Sequence, residues 1–224
     1  MGRDITLIAS DNFELGAYRA DPAATPKAAV VVIQEIFGVN HHIRAVCDRF
    51  AAQGYVAVAP AIFDRSERNF QSGYSADEVA VARKFVANPD WNAMLLDTQA
   101  AIDSVKDTGP VGIIGFCLGG SVAYAAATRL SGLSAAVGYY GGAIVRFADD
   151  KPKVPTQLHF GGKDHGIPLT DVETIRAKRP DVEIFVYPGA QHGFGCDERA
   201  SYDKPSADLA RQRSLAFFAE HLQK

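Results

Sequence analysis

Three side chains in this 224-residue chain have the types and the placement to act together as nucleophile, base and orienting acid: Cys117, His192 and Asp164. Cys117 lies in Val111-Gly112-Ile113-Ile114-Gly115-Phe116-Cys117-Leu118-Gly119-Gly120, where an apolar run stops at Gly-x-Cys-x-Gly and a helical pattern follows at once. That is the pattern of a nucleophile elbow carrying a thiol, with Gly115 and Gly119 small because a side chain at either position would strike the adjoining strand or helix. The competing reading is a small core cysteine beside turn glycines, since free cysteines are among the most buried residues. A thiol at neutral pH is mostly protonated, so nucleophilic use requires a base, and the base requires a third group that holds its ring in one tautomer. Asp164 follows the strand-like run Thr156 to Phe160 through Gly161-Gly162-Lys163. His192 follows Val182 to Tyr187 in Pro188-Gly189-Ala190-Gln191-His192-Gly193-Phe194. Taken singly, Asp164 reads as a turn residue or a cap for a helix near Leu169, and His192 as a solvated loop histidine. Three such residues, each just past a strand end, favour the triad.

The elements that must position them alternate. Ile5 to Ile8 and Phe13 to Ala17 flank the turn cluster Ser10-Asp11-Asn12 and predict an antiparallel hairpin. Ala28 to Ile33 is a continuous β-branched and alanine run, as in a strand covered on both faces, and Ile43 to Gln53 has helical spacing. Tyr55 to Ala59 is a further strand, Ala61 to Tyr74 is irregular, and Ala76 to Val86 and Met94 to Lys106 read as helices. Strands over Val111 to Ile114, Ala135 to Gly138, Thr156 to Phe160 and Val182 to Tyr187 follow, with helices from Cys117 to about Leu130 and from Ala207 to Leu222. This order predicts one α/β domain over residues 1–224, with a mostly parallel sheet and helices on both faces. In such a sheet a ligand sits outside the carboxyl ends of the strands, where Cys117, Asp164 and His192 fall. The chain order of nucleophile, acid and histidine is that of α/β-hydrolases.

Composition narrows the partners. A formal charge of −3 without long runs of one sign gives no electrostatic footprint for nucleic acid or an anionic membrane, so the partner expected is a small molecule. Three widely spaced cysteines, Cys47, Cys117 and Cys196, contain no Cys-x-x-Cys pair and suit a reducing compartment. The start carries no signal-peptide pattern, and the loose myristoylation match at Gly2 and Thr6 is of a kind that recurs by chance, so a cytoplasmic location is expected. No metal site is expected: His41 and His42 are adjacent, with no carboxylate or cysteine at ligand spacing, and His159, His165 and His221 fit a strand, a neighbouring turn position and the last helix. No cofactor is expected either, because no Gly-x-Gly-x-x-Gly or Gly-Lys-Ser/Thr loop follows a strand.

Gln34-Glu35-Ile36-Phe37-Gly38-Val39-Asn40 after the strand Ala28 to Ile33, Gly-Phe-Cys-Leu-Gly-Gly, Gly138-Tyr139-Tyr140-Gly141 and Gly-Ala-Gln-His-Gly-Phe closely resemble the dienelactone hydrolase family over nearly the whole chain. The resemblance implies an α/β-hydrolase fold and a cysteine hydrolase of a small ester or lactone working through a thioester, with Cys117, Asp164 and His192 as its triad. It also implies that Glu35 accepts the thiol proton or holds the resting cysteine neutral. The oxyanion donors of the fold correspond to the backbone N–H groups of Leu118 and Ile36, and Phe37 and Tyr139 would wall the pocket. Two departures concern substrate. The arginine expected four residues after the histidine is Cys196, and Gly193 stands where a serine is usual. Arg65, Arg68 and Arg83 are the alternatives for binding a substrate carboxylate, and the missing arginine predicts that neutral esters and lactones serve at least as well as carboxylated ones. A ligand-binding or sensing protein with little turnover is the second reading, a thiol-redox role the third. The assembly expected is a monomer or small homo-oligomer.

Overall fold

The computed structural model describes residues 2–223. Eight strands form one sheet: β1 (Arg3–Ile8), β2 (Glu14–Ala20), β3 (Ala28–Ile33), β4 (Tyr55–Pro60), β5 (Val111–Phe116), β6 (Ala135–Tyr139), β7 (Thr156–Gly161) and β8 (Glu183–Tyr187). Their order is β1-β2-β4-β3-β5-β6-β7-β8. β1 and β2 pair antiparallel, β2 joins β4 antiparallel, and every pairing from β4 through β8 is parallel. The expected N-terminal hairpin and mostly parallel sheet are therefore both present, in the arrangement of an α/β-hydrolase.

The run Ala-Ala-Val-Val-Val-Ile makes β3 an interior strand because every residue in it is buried. Its side chains divide between two cores. Val30 and Val32 pack with Ile43 and Phe50 of α1 (His41–Ala52) and with Phe218 of the last helix, whereas Val31 and Ile33 pack with Met94 and Ile102 on the opposite face. Helices therefore cover both sides. Removing each such aliphatic side chain from water contributes about 1.5–3 kcal/mol.

The remaining helices are α2 (Ala76–Ala82), α3 (Trp91–Asp103), α4 (Leu118–Arg129), α5 (Ile144–Phe147), α6 (Leu169–Lys178) and α7 (Lys204–His221). Capping explains several starts. Asn40 accepts from the Ile43 N–H and begins α1 at His41; Asp203 accepts from Ser206 N–H and begins α7 three residues before the predicted Ala207. The predicted helix Ala76 to Val86 is α only to Ala82 and continues as a 3₁₀ turn over Arg83–Val86. Among the described residues no helix is long and apolar enough to cross a membrane.

Candidate active site

β5 enters the elbow as a strand buried along its whole length, and α4 leaves it at Leu118. Cys117, between them, has φ 55° and ψ −115°, a backbone conformation that side-chain-bearing residues rarely adopt and that tends to mark functional turns. The chain closes so tightly that a Cβ on Gly115 would lie 1.9 Å from the Gly119 carbonyl oxygen. A Cβ on Gly119 would lie 2.4 Å from the Ile33 carbonyl oxygen. The elbow is thus pressed against the end of β3, which leads directly into Glu35.

The two partner loops are stitched together before they reach the thiol. Gly162 N–H donates to the Tyr187 carbonyl and Lys163 N–H to the Ala190 carbonyl, which ties the turn after β7 to the turn after β8. Asp164 is fully buried at its side chain, accepts from Gly166 N–H at 2.8 Å through Oδ1 and from His192 Nδ1 at 2.7 Å through Oδ2. The helix α6 is capped at Pro168, so Asp164 is not its cap. An ionised carboxylate only accepts, which places a proton on His192 Nδ1 and points Nε2 at the sulfur, 3.1 Å from Cys117 Sγ. Thiol, imidazole and carboxylate lie in one continuous line.

Burial works against a charge on the His192 ring, but the Cys117 sulfur and the Asp164 carboxylate outweigh it and raise its pKa to about 10. The raised value means that the ring keeps its proton through neutral pH and gives it up only as pH rises through about 10. Removing the sulfur leaves burial opposed by Asp164 alone. An NMR titration of the His192 ring is therefore expected to show a midpoint about one pH unit or more lower in Cys117→Ala than in the parent protein. Equal midpoints would mean that the sulfur does not hold the proton there.

Around this line the structure sorts the other predicted residues. The backbone N–H groups of Leu118 and Ile36 donate to no other group among the described residues. Phe37 is buried, meets Tyr74 edge-on at 4.7 Å and lies beneath a guanidinium. The hydroxyl of Tyr139 bonds Ser214 at 2.8 Å, and its ring lines a cavity between α1 and α7. The next residue, Tyr140, lies just past the end of β6 with φ 37°, and its ring meets the His192 ring with centroids 5.1 Å apart.

Arg65, Arg68 and Arg83 supply no cation here. Arg65 is bound to Asp11 and Asp97, Arg68 lies over Phe13, and Arg83 belongs to the 3₁₀ turn after α2. The cation comes from Arg199, which sequence reasoning missed. Its Nη1 donates to Glu35 Oε1 at 2.9 Å, and its guanidinium lies over the rings of Phe37 and Tyr74. Glu35, only 1% exposed at its side chain, is therefore paired with Arg199, and no hydrogen bond joins it to Cys117 among the described residues. Arg199 stands three positions past Cys196, with a backbone bond from Arg199 N–H to the Cys196 carbonyl turning the chain between them. A search at one fixed spacing from the histidine could not find it.

Residues 15–222 match the dienelactone hydrolase family. The chain belongs to that family. A carboxymethylenebutenolidase of Pseudomonas putida is 31% identical to it, over 96% of this chain and 95% of that protein. A Synechocystis relative provisionally named a carboxymethylenebutenolidase is 36% identical over 98% of this chain and 97% of its own length. The crystal structure of a Klebsiella pneumoniae protein, provisionally named a dienelactone hydrolase, superimposes with a TM-score of 0.86 at 31% identity, covering 98% of this chain and 99% of that one. As a dienelactone hydrolase family hydrolase, the chain carries the elbow, acid and histidine in the order that its strand ends present them.

Proposed function

We propose that this dienelactone hydrolase family member cleaves a small ester or lactone through a thioester on Cys117. The observation that carries the reading is the line from Cys117 Sγ to His192 Nε2 at 3.1 Å and from His192 Nδ1 to Asp164 Oδ2 at 2.7 Å, set on an elbow with positive φ. The sulfur attacks the carbonyl carbon, and the N–H groups of Leu118 and Ile36 receive the charge that develops on its oxygen. His192 passes its proton to the leaving alkoxide, the thioester remains, and His192 then takes a proton from the water that attacks it. Hydrolysis returns the thiol and releases the acid. A burst of product from a chromogenic acetate ester, with an acetyl adduct found on Cys117 by mass spectrometry, is the expected result. Tight ligand binding with no burst and no adduct would favour a sensing protein.

Arg199 bears on substrate. The expectation that neutral esters and lactones serve at least as well as carboxylated ones rested on the missing arginine at position 196, and Arg199 brings a guanidinium to Glu35 from a later position. A substrate carboxylate that engages Arg199 competes with Glu35 for the guanidinium and loosens that pair. Arg199→Gln is expected to lower kcat/KM for a carboxylated lactone by about ten- to more than a hundredfold, the scale of one hydrogen bond to a charged group. A neutral acetate ester should be affected much less. Equal losses on both substrates would show that Arg199 holds the pocket together and does not select the substrate.

A further inference from the structure

Beside the Cys117 line, the fold gathers a second cluster from three separate parts of the chain: Glu35 after β3, His42 in the first turn of α1, and Cys196 beyond His192. All three residues are buried, and one ligating atom from each lies within 4.8 Å of the other two. Two atoms of the cluster lack a partner: Glu35 Oε2 and His42 Nε2 are buried without a hydrogen bond. Leaving a buried polar atom unpaired is costly, so two in one place point to a ligand between them.

The remaining atoms of the same side chains are already fixed. Arg199 holds Glu35 Oε1. His42 Nδ1 lies 3.3 Å from Asp197 Oδ1, and because a carboxylate only accepts, the imidazole proton sits on Nδ1 and the lone pair on Nε2. A carboxylate behind a histidine in this way is the usual support of a metal-binding imidazole.

We propose that Glu35, His42 and Cys196 form a binding site for one divalent ion of the zinc type. One carboxylate oxygen, one imidazole nitrogen and one thiolate sulfur suit zinc or cobalt, whereas magnesium and calcium prefer oxygen alone. As the ion enters, the Cys196 S–H bond breaks, the sulfur–metal bond forms and the proton passes to the buffer, with no change of oxidation state. The ion and Arg199 contribute three positive charges, which Glu35, the Cys196 thiolate and Asp197 match with three negative ones. Arg49, 3.8 Å from the other Asp197 oxygen, lies toward solvent and leaves that balance largely intact. The three protein ligands leave a fourth position for water.

Cobalt(II) is the probe, because a thiolate on it gives a charge-transfer band in the near ultraviolet. The titration is made on full-length Cys117→Ala, which removes the competing thiol beside His192. A band that saturates at about one ion per chain, with about one proton released, is expected. It should disappear in Cys117→Ala/Cys196→Ser, and the affinity should fall by about 10–100-fold in Cys117→Ala/Asp197→Asn. Thermal melts check that each variant is folded. If the Cys196 variant does not fold, His42→Gln in the same background replaces it, and a substantial loss of affinity is expected there. Absence of the band in folded Cys117→Ala, or a band that survives loss of both Cys117 and Cys196 and so comes from Cys47, would overturn the site.

Discussion

Cys117→Ala is expected to reduce ester hydrolysis on the order of 10⁴-fold or more while the protein stays folded and binds substrate. Losses of this size accompany removal of a nucleophile whose partners act with it as a unit. The smaller side chain fits the elbow, and among the described residues the one side-chain hydrogen bond it loses is that to His192 Nε2. Among the described residues no other thiol or hydroxyl is hydrogen-bonded to His192 Nε2. Ser121, the nearest hydroxyl along α4, is buried and accepts from the Ala143 N–H at 3.0 Å. Cys47 is fully buried in α1, where burial pushes its thiol pKa up and keeps it protonated. Steady-state turnover of a chromogenic ester, together with a circular dichroism spectrum matching that of the parent, checks the result. Undiminished turnover in the folded variant would move the nucleophile elsewhere.

The second large effect is on folding. Gly115→Ala places a methyl carbon 1.9 Å from the Gly119 carbonyl oxygen, 2.2 Å from its carbon and 2.9 Å from the Gly120 nitrogen. All three are backbone atoms, so no side chain can swing aside, and α4 has to lift off β5 or the elbow has to open. A cost of about 3 kcal/mol or more is expected, at the upper end of overpacking effects. For a chain of this size that corresponds to a fall in Tm of about 6–12 °C. Gly189→Ala is the control, since nothing lies within 4 Å of the Cβ it would add. Thermal melts of both variants decide the matter: a Gly115→Ala protein as stable as the control would refute the tight closure of the elbow.

The strands and the order of the candidate triad were legible because they rest on local signals. Buried parallel strands read as uninterrupted apolar runs, as in β3 and β5, and the turns after β7 and β8 announce themselves with glycine and proline. The last helix was placed from Ala207, where its apolar pattern begins, whereas its start is set earlier by the Asp203 cap and Pro205 in the first turn. What stayed hidden depends on the third dimension. Tyr139 and Tyr140 are adjacent in a motif, and the end of β6 with the positive φ of Tyr140 turns Tyr140 toward His192. Arg199 reaches Glu35 across 164 positions of sequence, a contact that no local spacing records. The same holds for His42, which sequence spacing leaves without ligand neighbours and which the fold sets beside Glu35 and Cys196.

Gly193 has φ 77°, and a Cβ on it would lie 2.5 Å from Arg199 Nη1, the nitrogen that holds Glu35. A side chain at 193 would therefore press on the flexible end of Arg199 and shift the guanidinium that pairs with Glu35, at a position where φ already disfavours any residue but glycine. Any substitution at 193 therefore also perturbs the Arg199–Glu35 pair, and its effect has to be read beside that of Arg199→Gln.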